Sequence, residues 1–184
     1  MSEGTIKKTG MELEKLIRNI PDFPEKGIQF KDITTLLKSG RGFRDSIEWM
    51  VSLYEDKNID KVIAVESRGF IFGAPVALRL GAGFVPVRKK NKLPADKYTV
   101  KYELEYGCDE LQMHKDAVAQ GEKVLIIDDL LATGGTTLAA IELLNKCEAE
   151  VESICFLIEL LGLGGREKLK SHRVDSLIKI ECKE

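Results

Sequence analysis

The chain has 184 residues, 43% of them hydrophobic and 32% charged, and a formal net charge of −2 at pH 7. That length suits one domain with a substantial core, and the near-neutral balance supplies no global basic field for nucleic acid. No apolar run is long enough to span a bilayer, and MSEGTIKKTGMELEK lacks the apolar centre of a signal peptide, so a cytoplasmic protein with no membrane partner is expected.

The elements follow in chain order. Met11–Ile20 carries Leu13, Leu16, Ile17 and Ile20 at helical spacing, which predicts a helix. PDFPEKG at Pro21–Gly27 breaks it and makes a loop. Arg41–Tyr54 reads as a second amphipathic helix, with Phe43, Ile47, Met50, Val51 and Tyr54 on one face. Lys61–Val65 is a strand ending at ESRG, and a helix follows around Phe72–Leu80. Gly83–Val87 is another short strand. Arg88–Lys101 is a basic, irregular stretch, and TVKYELEYG after it alternates like a hairpin strand. Asp109–Lys115 is expected to be a short helix. A strand over Val124–Asp128, a helix from about Thr136 to Cys147 and a strand over Val151–Glu159 come next. A short helix is expected in Leu163–Leu169, and Val174–Ile180 reads as a last strand. The alternation predicts an α/β fold: a doubly wound, mainly parallel sheet flanked by helices. Cys108, Cys147, Cys155 and Cys182 form no CxxC pair and read as reduced thiols. His114 and His172 lie far apart and pair with no cysteine, which speaks against a structural zinc site.

The most informative stretch is Val124–Thr137, VLIIDDLLATGGTT. An apolar run stops at adjacent carboxylates, Asp128 and Asp129. A glycine turn, Gly134 and Gly135, then leads into a helix. Such a turn presents free backbone N–H groups and a positive dipole end to a phosphate. Ala132 sits in this loop, and the hydroxyls of Thr133, Thr136 and Thr137 add donors. Two carboxylates would repel that phosphate, so ribose hydroxyls, which donate hydrogen bonds, are their natural partner. One loop thus offers both ends of a ribose 5-phosphate.

A second turn, ESRGFIFG (Glu66–Gly73), places Ser67 and Arg68 where a strand gives way to a helix; Arg68 can fork onto phosphate oxygens. The run RKKNKLP holds Arg88, Lys89, Lys90 and Lys92, cations that a polyanionic leaving group needs. These polar segments follow three successive strands, and in open parallel sheets ligands bind outside the carboxyl ends of the strands.

The string DDLLATGGT resembles the phosphoribosyl pyrophosphate motif of the type I phosphoribosyltransferase family, and is similar to its adenine-using branch. The resemblance runs from about Leu13 to Leu169 and implies one phosphoribosyltransferase domain over 1–184. Its sub-regions would be an N-terminal purine-binding loop (about 21–35) and a flexible lid or hood (about 88–107), the loop and a hairpin together forming a small hood. The implied reaction joins adenine to phosphoribosyl pyrophosphate, giving AMP and pyrophosphate. By the same resemblance, SRGF is the pyrophosphate loop, with Ser67, Arg68, Arg88, Lys89 and Lys92 on the leaving group. Asp128, Asp129, Ala132, Thr133, Gly134, Gly135 and Thr136 would hold the phosphoribosyl moiety. FPEKGIQFKD resembles the purine-binding loop: Phe30 would stack on adenine, and backbone groups near Gln29 and Lys31 would read its edge. Many members carry arginine where Lys31 stands. LEYG matches part of the hood, which places Tyr106 there and makes Glu105 the acceptor of the proton adenine loses. Asn91 stands where glycine is usual, and asparagine tolerates positive φ less readily. Mg²⁺ carried by the substrate, and a homodimer, are further implications. The alternatives are a relative acting on another purine, and a non-catalytic sensor of phosphoribosyl pyrophosphate; a DNA-binding sensor would need a module for which there is no room before Leu13.

Overall fold

The structure is a computed structural model that describes residues 10–103 and 108–182. A seven-stranded sheet has the order β5-β6-β4-β3-β7-β8-β9, and a separate two-stranded hairpin pairs β1 (Arg18–Pro21) with β2 (Gln29–Asp32). The central strands are β3 (Lys61–Val65), β4 (Gly83–Lys89), β7 (Lys123–Leu131), β8 (Glu150–Leu161) and β9 (Val174–Glu181), paired in parallel. β5 (Lys97–Glu103) and β6 (Cys108–His114) add an antiparallel edge. The predicted doubly wound α/β architecture is therefore observed.

Strands buried on both faces need apolar residues at every position. β3 supplies them: Val62 faces one core with Phe72, Val76 and Leu125, while Ile63 and Val65 face the other with Ile126, Ala140 and Leu144. The first layer is completed by α1 (Thr34–Leu37), α2 (Gly40–Ser52) and α3 (Arg68–Leu80). The second is completed by α4 (Gly135–Asn145), with α5 (Gly165–Lys168) beside it. Ser39 caps α2 by accepting a hydrogen bond from the Gly42 N–H at 3.1 Å. From β3 the chain winds outward to β4, and from β7 it winds the other way to β8 and β9. The winding reverses between β3 and β7, and the crevice beyond their carboxyl ends is where such sheets bind ligands.

The structure corrects four local expectations. The first helix covers only residues 10–14 of the described chain, and Arg18–Pro21 is a strand. Pairing of Ile20 with Phe30 in the hairpin outweighs a helical pattern that Leu16 and Ile17 satisfy by packing on the core alone. Asp109–Lys115 is not a helix: it lies in β6 and the turn after it, with Leu111 and Met113 buried at a period of two. Half of the stretch Arg88–Lys101 is strand, since Arg88 and Lys89 extend β4 and β5 begins at Lys97. Finally, β7 runs on to Leu131, so Asp128 and Asp129 sit within its last turns of pleat rather than at its end. Within the lid or hood expected over about 88–107, the described residues are accordingly paired strands, with irregular backbone at 90–96. Asn91 takes the left-handed conformation (φ 63°) expected of the usual glycine, and its N–H donates to Gln112 Oε1 at 3.2 Å.

The hairpin is anchored by Asp32, which is buried. Its carboxylate accepts from Arg18 Nε at 2.9 Å, Arg18 Nη2 at 2.5 Å and the Thr34 N–H at 2.9 Å. The Thr34 amide and the Arg18 guanidinium lower its pKa from 3.8 to about 2. A depressed carboxylate stabilises the fold above its unfolded value and stops doing so as pH falls through the folded one. Asp32→Ala is therefore expected to cost about 1 kcal/mol at pH 7. The deficit, followed by thermal melts, should shrink as pH falls from 3.8 towards 2.

Candidate active site

A cavity of about 590 Å³ opens at the reversal point. Two helix N-termini converge on it: α3 begins at Arg68, right after β3, and α4 begins at Gly135, just after β7. Each leaves its first N–H groups without intrahelical partners and carries the positive end of a helix dipole. At α4 the turn is made by Gly134 at φ 80°, and the wall continues through Ala132, Thr133, Gly135, Thr136 and Thr137. At α3 the wall holds Glu66, Ser67 and Arg68. Gly69 is needed for the helix to approach β7, because a Cβ there would lie 2.8 Å from Asp128 Oδ1.

Between the two helix ends sit Asp128 and Asp129. Asp128 Oδ1 accepts from the Asp129 N–H at 2.9 Å. Arg68 Nε lies 3.1 Å from Asp129 Oδ2, too poorly aligned to satisfy that oxygen, which is buried without a hydrogen-bond partner. Burial, and then the charge of Asp129, raise the Asp128 pKa well above the ordinary carboxylate value. Burial also raises that of Asp129, against the pull of Arg68. The pair is thus two acids held out of water and short of donors, which suits the hydroxyls of a sugar.

The remaining wall is Phe30, Lys89, Tyr102 and Asp109. Phe30 packs edge-to-face on Phe23, with centroids 5.1 Å apart, and the Arg68 guanidinium lies 5.3 Å from its ring centre. Gln29 and Lys31, one residue either side, point away from the cavity and are tied to Asn19. Asn19 Nδ2 donates to Gln29 Oε1 at 2.7 Å, and Lys31 Nζ donates to Asn19 Oδ1 at 2.8 Å. β2 pairs along one edge only, with β1, so alternate backbone groups stay free on its open edge. Lys89 Nζ lies 3.1 Å from Asp109 Oδ2, and that ion pair raises its pKa. Arg88 does not line the cavity; its Nε donates to Glu66 Oε2 at 2.9 Å, holding the Glu66 carboxyl below its usual range. Lys92 also lies outside the cavity wall. Glu105 and Tyr106 fall outside the described residues; Tyr102 and Asp109, on either side of them in sequence, both reach the cavity.

Residues 32–183 match the model of the phosphoribosyl transferase domain. A Halothermothrix orenii protein named adenine phosphoribosyltransferase is 55% identical over 168 residues, covering 91% of this chain and 99% of its own length. The chain belongs to the adenine phosphoribosyltransferase family. The crystal structure of the adenine phosphoribosyltransferase of Thermoanaerobacter pseudethanolicus superposes with a TM-score of 0.90 at 54% identity, over 92% of this chain and 99% of the other. That of Saccharomyces cerevisiae, complexed with an imino-altritol bisphosphate and adenine, has a TM-score of 0.87 at 38% identity, over 92% and 98%. Among the polar wall residues, Glu66, Tyr102 and Asp109 were not foreseen as site residues. Tyr102 donates to Asp109 Oδ2 at 3.3 Å, so the two close the cavity together. The apolar Leu111 and Met113 either side of polar Gln112 are the sequence signal that could have placed Asp109 on a strand, where a helix was expected.

Proposed function

We propose that the protein transfers the 5-phosphoribosyl group of phosphoribosyl pyrophosphate to adenine, giving AMP and pyrophosphate, a reaction of purine salvage. The observation that supports this most is the order of groups across one cavity: a helix N-terminus, buried Asp129 beside half-buried Asp128, a second helix N-terminus with Arg68, and the Phe30 ring. It mirrors phosphate, ribose, pyrophosphate and base. In this reading the 132–136 loop holds the 5-phosphate, and Asp128 and Asp129 accept the ribose hydroxyls. Ser67, Arg68 and Lys89 take the pyrophosphate, while Arg88 acts through Glu66. Adenine lies against Phe30, its edge read by backbone groups at Gln29 and Lys31. The yeast relative was crystallised with adenine and an imino-altritol bisphosphate, which supports a base and a phosphorylated sugar as the ligands.

Among the described residues, the cavity wall carries four carboxylates, Glu66, Asp109, Asp128 and Asp129, against two cations, Arg68 and Lys89. A pyrophosphate cannot settle there without additional positive charge, so the wall fits a hard divalent cation brought by the substrate. Mg²⁺, bound through phosphate oxygens and water, would neutralise the leaving group. Displacement at the anomeric carbon should pass through a transition state of oxocarbenium character. The buried acids stabilise positive charge on the ring, and the β5–β6 hairpin closes water out. One domain over 1–184 holds the whole site, in the cytoplasm. A homodimer is part of the proposal: Ile71 and Leu78, the latter 81% exposed, are seven residues apart on the outer face of α3, a surface suited to a second copy.

The test is one assay with phosphoribosyl pyrophosphate, Mg²⁺ and, in turn, adenine, hypoxanthine, guanine and xanthine. Adenine should have much the highest kcat/KM, because a site that bonds the amino group leaves buried polar groups unpaired against oxo-purines. Comparable values for hypoxanthine and adenine would overturn the assignment of the base.

A further inference from the structure

β8 is apolar through its buried middle, Ile154–Ile158, yet the next residue is Glu159, with its side chain 2% exposed. A carboxylate is buried at such a place only if it is paired. Arg166 of α5 forks onto it, Nε donating to Oε1 at 2.6 Å and Nη2 to Oε2 at 2.5 Å. Ser176 Oγ donates to Oε2 at 2.5 Å, and Arg166 Nη1 donates to the Val174 carbonyl at 2.9 Å. The guanidinium holds the Glu159 carboxyl below its usual range. Every partner of Glu159 therefore lies on the segment running from α5 into β9.

The residue before Arg166 is Gly165, buried against the back of the phosphate loop. A Cβ on Gly165 would stand 2.2 Å from the Ala132 carbonyl oxygen and 2.8 Å from Leu131 Cδ1. A Cβ on Gly134 would stand 3.2 Å from the Gly165 carbonyl oxygen. Two backbones thus touch with no side chain between them, and neither Gly165 nor Arg166 lines the cavity. Glu159 is itself paired in register with Leu131, the last residue of β7 before the loop.

We propose that Glu159 and Arg166 are positioning residues: their fork clamps the Gly165 turn against 132–134 and so sets how well the loop's N–H groups fit a phosphate monoester. The inference rests on the reading of that loop as the 5-phosphate site. Removing the clamp lets the loop relax backwards, while the α3 end of the site, held by other contacts, stays in place.

The experiment titrates the full-length protein, well below its melting temperature, with ribose 5-phosphate and separately with pyrophosphate. Glu159→Gln and Gly165→Ala should each weaken ribose 5-phosphate about tenfold or more, with pyrophosphate changed less than about twofold. Arg166→Lys keeps the charge but cannot fork, and should fall between these variants and the unmodified protein. If Gly165→Ala does not fold, Arg166→Lys and Glu159→Gln still decide the matter. Equal losses for both ligands, or unchanged ribose 5-phosphate affinity, would overturn the clamp alone. Failure of the unmodified protein to bind ribose 5-phosphate would overturn the functional reading and the clamp with it.

Discussion

Asp128→Asn is expected to make the protein more stable and a far poorer catalyst. Burial, and then the charge of Asp129, raise the Asp128 pKa in the folded protein. An acid whose folded pKa is raised has its full stability below the unfolded value of 3.8, where it is protonated in both states. That stability is lost as pH rises from the unfolded towards the folded value, so at neutral pH the raised pKa of Asp128 opposes folding. Asparagine removes the charge and keeps the oxygen that accepts from the Asp129 N–H. The melting temperature at pH 7 should therefore rise, by a gain of about 0.5–2 kcal/mol. The gain should shrink as the comparison moves to lower pH. A charged acceptor is nonetheless what ribose hydroxyls and a cationic ring need, and its loss should lower kcat/KM for phosphoribosyl pyrophosphate about 10²-fold. An unchanged or lower melting temperature at pH 7 would show that Asp128 is better solvated than its surroundings imply. Trapping of a covalent ribosyl adduct on Asp128 or Asp129 would instead make the acid a nucleophile.

Arg68 reaches Asp129 without satisfying its buried oxygen and rests against Phe30. One guanidinium thus spans the proposed ribose, pyrophosphate and base positions. Substrate hydroxyls can take over Asp129 and free Arg68 for phosphate oxygens, so that binding relieves an imperfect pairing rather than breaking a good one.

The strand and loop of VLIIDDLLATGGTT were legible because the chemistry is local: an apolar run, two acids and a glycine turn lie within fourteen consecutive residues. The cavity wall confirms that Asp128, Asp129 and 132–136 come together, and it adds Ser67, Arg68, Lys89 and Phe30 from elsewhere in the chain. Misreadings occurred where tertiary pairing decided the conformation. Ile17 and Ile20 fit a helix, but the partner that makes Arg18–Pro21 a strand lies beyond a loop, at Gln29–Asp32. In β6 only Leu111 and Met113 show the apolar alternation, and what makes Asp109–His114 a strand is pairing with β5 and β4. The lysine-rich run looked irregular because Arg88 and Lys89 are charged, yet their backbone continues β4 against β6. Gly165 and Glu159 carried no chemical signature at all; their place behind the loop depends on β8 and α5 meeting β7 in space.

The last expectation concerns Glu105, in the tetrapeptide 104–107 between Tyr102 and Asp109. Adenine must lose a ring proton as the glycosidic bond forms, and the described acids of the cavity are committed elsewhere. Asp128 and Asp129 face the proposed ribose site, Glu66 is held by Arg88, and Asp109 is held by Lys89 and Tyr102. Glu105 is the carboxylate that the family resemblance offers for this proton. Glu105→Gln keeps the shape and discards the basic group. If Glu105 takes the proton in the transition state, kcat should fall about 10²–10⁴-fold, with affinity for phosphoribosyl pyrophosphate nearly unchanged. The acidic limb of the kcat profile should vanish in the variant, because the group whose ionisation it reports is gone. A near-normal kcat with a raised KM for adenine would make Glu105 a positioning acceptor, and the proton would then leave to water.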